Sequence, residues 1–417
     1  MHRLILILRN EKKMKKNLKN QFPLNFNEQG FSLIEVMIGL VIGLIATLVI
    51  TQTLSTFESK KRTTTGTADA QTNGSIAIYS LHREIQNAGY GFPLADAQLP
   101  DAVAPNVVAP NAASMATQAQ YNAKVAADAI ASAGRPNFSA LRCNAAPTVD
   151  HDSNATTAEV PLIPIQITDG GTGNDTVSVT YGNTQFGGLP TSIDSITGQS
   201  IGLNPMGCRN GDVALIVRDI NAVATNNCVV AKVTSTNAYL DNAGVSNMTI
   251  DKNIGTLTAG EVRRISCLGT IINTVFSVTA TGNQLNRNGT PIISDVVSLQ
   301  AQYGISPTQN SDQVTAWVNA TGADWATPSI ANRNRIKAIR IAIIARNPKP
   351  ESTIVSTACS ANDSANPTGV CAWAGDATSP APDVDLSGTA ANWNRYRYRA
   401  YDIVVPLRNM RYSGALL

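Results

Sequence analysis

Residues 31–50 form a run of mostly apolar side chains that follows a basic leader and contains a single carboxylate, Glu35. As a helix rising about 1.5 Å per residue, the run would be roughly 30 Å long, which is the thickness of the hydrocarbon core of a bilayer. An ionisable side chain in that setting costs about 2.5–3.5 kcal/mol on insertion scales, so Glu35 needs a reason to be there. We therefore expect a membrane-spanning helix over residues 31–50 with a functional carboxylate. The plain alternative is an ordinary N-terminal anchor whose Glu35 lies near the interface.

The leader, residues 1–30, is polar and carries seven basic against two acidic side chains. A secretory signal peptide would place its apolar region before the cleavage site, whereas here the apolar region comes afterwards and would be retained. The positive charge keeps the leader on the cytoplasmic side and directs the rest of the chain outward. Met14 is an alternative start, which would leave a leader of 17 residues.

The segment Gly30-Phe31-Ser32-Leu33-Ile34-Glu35 has the pattern glycine, phenylalanine or methionine, serine or threonine, two apolar residues and glutamate. In this the chain resembles the type IV prepilins, without a mismatch. The resemblance implies that a prepilin peptidase cleaves between Gly30 and Phe31 and that the new amino group of Phe31 is N-methylated. It also implies that Glu35 pairs with the charged N-terminus of an adjacent subunit. Such a pair, half-buried among apolar helices, would fix their axial register.

Three further stretches resemble the PilW-type minor pilins in particular. Residues 81–91 are similar to that family's helix end "R-x-I-x-x-A-G-Y", and residues 296–304 to its strand "V-x-x-L-Q-x-x-Y-G". The third is a closing pair of strands, 336–346 and 399–409, which ends in Leu-Arg-Asn. These stretches leave residues 93–280 mostly unmatched.

Two departures from the major pilins indicate a subunit of low copy number. Major pilins usually carry a proline about twenty residues into the first helix, where this chain has Gln52 and Thr53. The exported part is also much larger than the domain that major pilins pack repeatedly along a fibre.

The apparent basicity of the chain comes from its leader. The whole sequence has 32 Lys plus Arg against 29 Asp plus Glu, and without residues 1–30 the balance becomes 25 against 27. Aromatic residues are only 5% of the chain. This composition argues against a nucleic-acid partner, which would require a basic or aromatic-lined surface. A binding module within residues 93–280 is therefore the weakest of the functional alternatives.

All six cysteines lie beyond the apolar segment, in the part expected to be exported, and an even number there predicts disulfides. Six cysteines allow 15 pairings. Spacing favours the local bridges Cys208–Cys228 and Cys359–Cys371, which leaves Cys143 with Cys267. Buried free thiols are the alternative.

The expected fold class is α+β: a type IV pilin-like fold with a long N-terminal helix packed on an antiparallel sheet with long loops. Residues 31–92 contain no proline and predict one helix, transmembrane to about residue 50 and amphipathic afterwards. Ile78, Leu81, Ile85 and Ala88 recur at helical spacing and would face the sheet. We expect a kink or a melted turn at residues 63–66 and 73–74, where glycine and threonine lower helix propensity.

Residues 93–160 are rich in alanine and proline and predict a loop or insertion with a helix over residues 114–133. A β-rich pilin domain over residues 161–417 follows. Its predicted strands are 163–167, 176–181, 213–219, 229–234, 275–280, 296–303, 336–346 and 398–406. Basic and apolar residues alternate at the start of 336–346, which is typical of a half-exposed strand. The closing arginines (395, 397, 399, 408 and 411) predict an exposed edge strand, with partner binding as the alternative.

Nothing in the sequence has the pattern of a catalytic motif. It has three histidines, none in an HExxH pair, and no nucleophile elbow, phosphate loop or dinucleotide fingerprint. Asp150-His151-Asp152 favours a solvated loop over a metal site, and residues 169–175 favour a turn between strands over a calcium loop. We therefore expect no enzyme activity, no cofactor and no metal.

The resemblance implies a minor pilin that is held in the bacterial inner membrane by residues 31–50, with its C-terminal domain in the periplasm. It would prime fibre assembly and end near the fibre tip. The implied partners are the prepilin peptidase, other minor pilins, the major pilin, the inner-membrane assembly platform and, as a further candidate, a tip adhesin. The alternative is a type II secretion pseudopilin that primes a periplasmic pseudopilus, because both machines use this leader.

Overall fold

The computed structural model describes residues 30–92, 148–149, 159–184, 188, 190–203, 208–219, 227–236, 246–256, 262–279, 282–308, 311–360, 366–376, 379 and 381–410. The leader before Gly30, the predicted helix over 114–133, residues 150–152, Cys143 and Arg411 lie outside these residues.

The described secondary structure is one long helix followed by antiparallel strands. The helices are α1 Leu33–Gln86, α2 Gly322–Trp325 and α3 Ile330–Arg333, with short 3-10 turns at Ser387–Thr389, Trp393–Arg395 and Arg408–Met410. The strands are β1 Thr148–Val149, β2 Val160–Pro161, β3 Ile165–Thr168, β4 Thr176–Gly182, β5 Pro190–Thr197, β6 Ser200–Leu203, β7 Val213–Asp219, β8 Asn227–Thr236, β9 Ser246–Ile250, β10 Val262–Gly269, β11 Ile271–Thr279, β12 Gln284–Arg287, β13 Thr290–Ser294, β14 Val296–Ile305, β15 Ala316–Val318, β16 Ile336–Arg346 and β17 Tyr398–Pro406.

The chain divides into two units, residues 1–62 and 63–417. Within the first unit, the described residues are the start of α1, whose large apolar side chains from Phe31 to Phe57 are exposed. An 18-residue window of α1 has a mean hydropathy of 2.7, and none of it is buried. By length and composition alone, this helix could cross a membrane.

Within the second unit, the continuation of α1 is the packing surface of the core. Ala77, Leu81, Ile85 and Ala88 are fully or almost fully buried, and Ile78 is half-buried against the same cluster. The amphipathic face that the spacing predicted is therefore confirmed. Its partners are apolar side chains of β3, β4, β11, β14 and β16.

A melted turn in the helix is wrong, because α1 is continuous from Leu33 to Gln86, whereas the kink stays a prediction. Gly66 and Gly74 are buried positions at which a Cβ would overlap the amide of Asn347 and the ring of Tyr401. The glycines therefore permit close packing against the sheet. Their low helix propensity, about 1 kcal/mol per residue against alanine, is offset by this packing.

Two open sheets share the main core with α1. One has five strands in the order β13-β12-β11-β4-β3, and the other has four in the order β15-β14-β16-β17. The described ladders in both are antiparallel, so the coarse expectation of an α+β architecture with an antiparallel sheet is confirmed. Residues 169–175 form the turn between β3 and β4, as predicted.

A closed barrel in the order β10-β5-β6-β9-β8-β7 lies between β4 and β11 in the sequence. β4 and β11 pair with each other, so the barrel is inserted between two neighbouring strands of the five-stranded sheet. It has an apolar core of its own, which includes Ile201, Ile216 and Ile265. On β7 the alternate side chains, Val213 and Leu215, face out and join the main core.

The expectation that β16 is half-exposed is wrong. Lys337 is 1% exposed, and Arg340 is half-buried because chain segments after β16 cover the face of the sheet that carries Arg340, Ala342 and Ile344. Lys337 forms an ion pair with Asp312 at 3.7 Å. The Arg340 guanidinium lies 4.5 Å above the ring of Trp373, so the basic side chains on this strand have partners inside the fold.

The disulfide pairing differs from the one that spacing favoured. Cys359 is bonded to Cys371, as predicted, but Cys208 is bonded to Cys267, so the pairs Cys208–Cys228 and Cys143–Cys267 are wrong. Cys228 is disulfide-bonded as well. The reason is the register of the barrel: Cys228 lies opposite Val217, whereas Cys208 precedes β7 and meets the end of β10.

Candidate functional site

The prepilin-like segment lies at the very start of α1. Gly30, Phe31 and Ser32 precede the helix, and the backbone N–H groups of Glu35 and Val36 donate to the Ser32 carbonyl at 2.9 and 3.2 Å. Phe31 is 83% exposed. The Gly30–Phe31 peptide bond is therefore outside regular structure and open to a second molecule.

Glu35 lies in the first turn of α1, where a negative charge interacts favourably with the helix dipole. Its side chain is exposed, and no described residue forms an ion pair with it. Helix-dipole interactions of this kind contribute about 0.3–1 kcal/mol, less than the insertion cost of an ionised carboxylate. The cost is thus not covered by the described part of the chain itself.

At the other end of α1, one buried carboxylate ties the helix to the five-stranded sheet. Glu84 is 8% exposed, and its Oε1 accepts hydrogen bonds from the Tyr181 hydroxyl at 3.0 Å and the Thr274 hydroxyl at 2.8 Å. Arg287 donates to both carboxylate oxygens at 3.2 Å. Burial, and then the charge of Glu84, raise the pKa of Tyr181. Residues of β4, β11 and β12 are therefore held by one helical side chain.

Hydrogen bonds fasten the end of α1 to β4 and to the carboxy-terminal segment. Gly89 has a φ of 70° and donates its N–H to the Thr180 carbonyl at 3.0 Å, while Gly182 donates back to the Tyr90 carbonyl at 2.8 Å. Asn409 donates its side-chain amide to the Ala88 carbonyl at 3.0 Å. Carbonyl groups at a helix end lack intrahelical partners, so Asn409 serves as their cap.

Strand β14 joins the two open sheets through buried polar groups. The Ile167 N–H donates to the Tyr303 hydroxyl at 2.6 Å, and burial raises the pKa of Tyr303 to about 12. The Asp175 carboxylate accepts from the N–H groups of Gly170 at 2.9 Å and Ala301 at 2.7 Å. Burial raises the pKa of Asp175 to about 6, although both backbone donors oppose that shift.

The arginine-rich closing segment contains the edge strand β17. Arg395, Arg397, Arg399 and Arg408 are exposed, as predicted. Arg397 is bonded to Glu351, and the other three have no ion pair with a described residue. The segment thus combines a structural function at Asn409 with an exposed basic surface.

The three stretches that resemble PilW motifs meet in the core formed by α1 and the two open sheets, which we call the frame. The helix end contributes Glu84 and Ala88, β14 contributes Tyr303, and the closing segment contributes Asn409. The motifs contain Glu84 and Asn409, but the sequence assigns no function to them or to Asp175. The available signal for Glu84 is its place on the apolar face of α1, three residues after Leu81 and four before Ala88.

The described residues contain no group of three or more His, Cys, Asp or Glu side chains that could hold a metal ion. The buried carboxylates of Glu84 and Asp175 instead accept hydrogen bonds from protein donors. The later part of α1 packs on the two open sheets, the large apolar side chains of its first part are exposed, and the closing segment around β17 has exposed arginines at an open edge. These features suit binding to other molecules.

Comparison with known families gives two matches. The family described as Type IV Pilus-assembly protein W matches residues 259–409, and the prokaryotic N-terminal methylation motif matches residues 25–51. Neither a curated protein nor a solved structure is significantly similar to the chain. The PilW match covers β10 to the Asn409 cap, and the methylation motif covers Gly30 to Glu35.

Both matched families are structural components of pilus systems and not enzymes, which agrees with the expectation from the sequence. The methylation-motif match contains the prepilin segment, and the PilW match contains residues 296–304 and the closing strand pair, whereas residues 81–91 lie outside both matches. The chain thus has a PilW-type match over residues 259–409 and the N-terminal methylation motif of prepilin-like proteins over residues 25–51.

Proposed function

We propose that this protein is a minor pilin that primes type IV pilus assembly. It would be held in the inner membrane by residues 31–50, with residues 63–417 in the periplasm, and then enter the fibre near its tip. The observation that carries the proposal is the prepilin motif at the start of α1, a helix whose later part is fastened by Glu84 and Asn409 to the PilW-matched region.

The architecture proposed for the second unit is a pilin-like fold enlarged by insertions. A long helix on an antiparallel sheet, closed by a carboxy-terminal edge strand, supports it. On this proposal, residues 1–30 are the leader, 31–92 the helix, 93–160 an insertion and 161–417 the pilin domain.

The exposed apolar half of α1 supports the proposed priming role. Moving this helix out of lipid would expose many apolar side chains to water, at roughly 25 cal/mol per Å². Extraction is tolerable only when neighbouring apolar helices cover the segment, as a preassembled bundle of minor pilins would do. Glu35 would pair there with the amino group of an adjacent subunit's Phe31.

Processing is tested by intact mass and N-terminal sequencing of the membrane-extracted protein. The proposal expects a chain that begins with N-methylated Phe31. An uncut chain, or a cut elsewhere, would contradict it and leave a plain anchored envelope protein.

The Glu35 contact is tested by Glu35→Gln, with Glu58→Gln as the matched control on the same helix, where Glu58 forms only an exposed pair with Arg62. We expect both variants to be processed, and only Glu35→Gln to lose co-purification with the other pilins and to reduce piliation. Normal co-purification and normal piliation in the Glu35→Gln variant would contradict the contact proposed for Glu35. Pili that persist while protein secretion fails in a deletion strain would move the function to the secretion machine.

A further inference from the structure

We propose that the open edge of β17 binds an extended, acidic segment of another exported protein by strand addition. A sheet edge presents unpaired N–H and C=O groups and can accept a further strand. The proposal concerns residues 398–404 and stands whether or not the chain primes a fibre.

The other strand edges among the described residues carry features that discourage pairing. β15 has three residues, β3 has four, and β1 and β2 have two each. β13 contains Pro291 and pairs with β12 through a register shift, and the barrel strands have no edge because the barrel is closed. Short strands, proline and bulges are the common means of blunting an edge.

β17 has none of these features over most of its length. Its nine residues, Tyr398–Pro406, pair with β16 in one unbroken register. Its other side carries no strand in the order β15-β14-β16-β17. A nine-residue strand spans about 30 Å, which is enough for a full docking site.

The register shows which backbone groups face outward. Leu407 donates its N–H to the Lys337 carbonyl, and Asn347 donates its N–H to the Arg397 carbonyl. Because hydrogen-bonded pairs alternate along an antiparallel ladder, the odd-numbered residues of β17 bond to β16. The N–H and C=O groups of Ala400, Asp402 and Val404 therefore point away from the sheet. Pro406 has no N–H and ends this row.

Charge selects the occupant. Arg395, Arg399 and Arg408 are exposed along the closing segment without an ion pair to a described residue. The acidic groups beside them are already engaged, Glu351 with Arg397 and Asp402 with Arg340. An added strand would thus meet an excess of positive charge. A second copy of this chain would bring the same arginines and be repelled, whereas an acidic strand would be attracted.

The exposed side chains of β17 suit an extended peptide. Val404 is 48% exposed and Ala400 is exposed, so a neighbouring strand would cover apolar surface between the charges. The occupant we infer is a segment of about seven to nine residues that alternates acidic with β-branched residues.

The test is fluorescence anisotropy with the full detergent-purified chain and labelled nine-residue peptides in which glutamate alternates with valine and threonine. The matched peptide carries lysine in place of glutamate. We expect the acidic peptide to bind about tenfold or more tightly than the basic one, with the difference shrinking as salt is raised. Arg399→Glu should reverse the preference, and Arg399→Lys should keep it.

The backbone contribution is tested by Ala400→Pro, with Ala400→Ser as its control. Proline at this position removes an outward N–H and no bond to β16, so the urea midpoint should stay near that of the wild type while peptide affinity falls about tenfold or more. Equal binding of both peptides, or unchanged binding in Ala400→Pro and Arg399→Glu, would overturn the proposal. Dimerisation of the wild type that Ala400→Pro abolishes, without peptide binding, would make a second copy the occupant and overturn it too.

Discussion

Replacing Glu84 by glutamine should destabilise the second unit by about 2 kcal/mol, although it changes only one oxygen to an amide. The carboxylate is 8% exposed and accepts from two hydroxyl groups and one guanidinium, at 2.8 to 3.2 Å. Hydrogen bonds to a charged group contribute about 1.5–3 kcal/mol each, against about 1 kcal/mol for neutral bonds. Glutamine keeps one acceptor for Tyr181 and Thr274 but turns an amide N–H toward the donors of Arg287.

Glu84→Ala should cost more, about 4 kcal/mol. Thr274 is 1% exposed and would lose its acceptor in the interior, which adds a desolvation penalty of about 1–3 kcal/mol. Arg287→Met should cost less than either Glu84 variant, because 47% of the Arg287 side chain is exposed and its pair is partly solvated.

The measurement is urea unfolding followed by tryptophan fluorescence, since all four tryptophans lie within residues 317–393. Glu58→Gln is the matched control: the same substitution on the same helix, at an exposed pair with Arg62, should change the free energy of unfolding by less than about 0.5 kcal/mol. If Glu84→Gln and Glu58→Gln shift the midpoint equally, the carboxylate does not fasten α1 to the sheet.

Three further changes test the packing of the frame. Gly74→Ala should destabilise by about 1–3 kcal/mol in spite of better helix propensity, because its Cβ overlaps the ring of Tyr401, and Tyr401→Ala should abolish the penalty in a double-mutant cycle by urea unfolding. Tyr303→Phe should cost about 1–3 kcal/mol by the same assay, since the buried N–H of Ile167 loses its acceptor. Burial raises the pKa of Asp175 to about 6 from 3.8, so between these values the folded state binds more protons than the unfolded state. Wild-type stability should therefore fall by roughly 3 kcal/mol as pH rises from 3 to 7. Asp175→Asn should lack that fall, and an identical pH profile of the two proteins in urea titrations would refute the burial argument.

The strands of the main frame could be read from the sequence because their side chains obey local rules. β16 and β17 have the bounds predicted for them, and β14 begins where expected at Val296. Runs of isoleucine and valine bounded by polar turns predict strands, because β-branched side chains pack well on the buried face of a sheet. The helical face of Leu81 and Ile85 followed from spacing alone for the same reason.

The wrong predictions share one physical origin: at each of these positions the structure depends on residues that are distant in the sequence. Gly66 and Gly74 have low helix propensity in isolation, yet their use here depends on Asn347 and Tyr401, which lie more than 270 residues away in the chain. Arg340 has the pattern of an exposed residue until Trp373, later in the chain, covers its face of the sheet. Propensity describes the residue, whereas these outcomes depend on what packs on it.

Four of the six barrel strands, β5, β6, β9 and β10, were not predicted, whereas β7 and most of β8 were. Two of the missed strands are short, and β5 and β6 are rich in serine, threonine and glycine. β6 has only four residues, Ser200–Leu203, and β9 has five, Ser246–Ile250. Such segments give weak strand signals, and their register is set by closure of the barrel. The bond between Cys208 and Cys267 follows from that closure, so the distance between cysteines in the sequence could not indicate it.

Because the barrel is inserted between β4 and β11, its sequence can change without disturbing the pairing of these two strands. The two ends of the insertion lie close together. The N–H of Asn183 donates to the Thr270 carbonyl at 3.1 Å, and the N–H of Thr270 donates to the Asn183 side chain at 2.7 Å. Since the entropy cost of a closed loop grows only with the logarithm of its length, about 90 residues between two such bonds cost little more than a short loop. β4 and β11 can pair in the same register whatever the insertion contains. The PilW match begins at residue 259, after most of the barrel, so the shared frame and the inserted module are separated in the sequence as they are in the sheet.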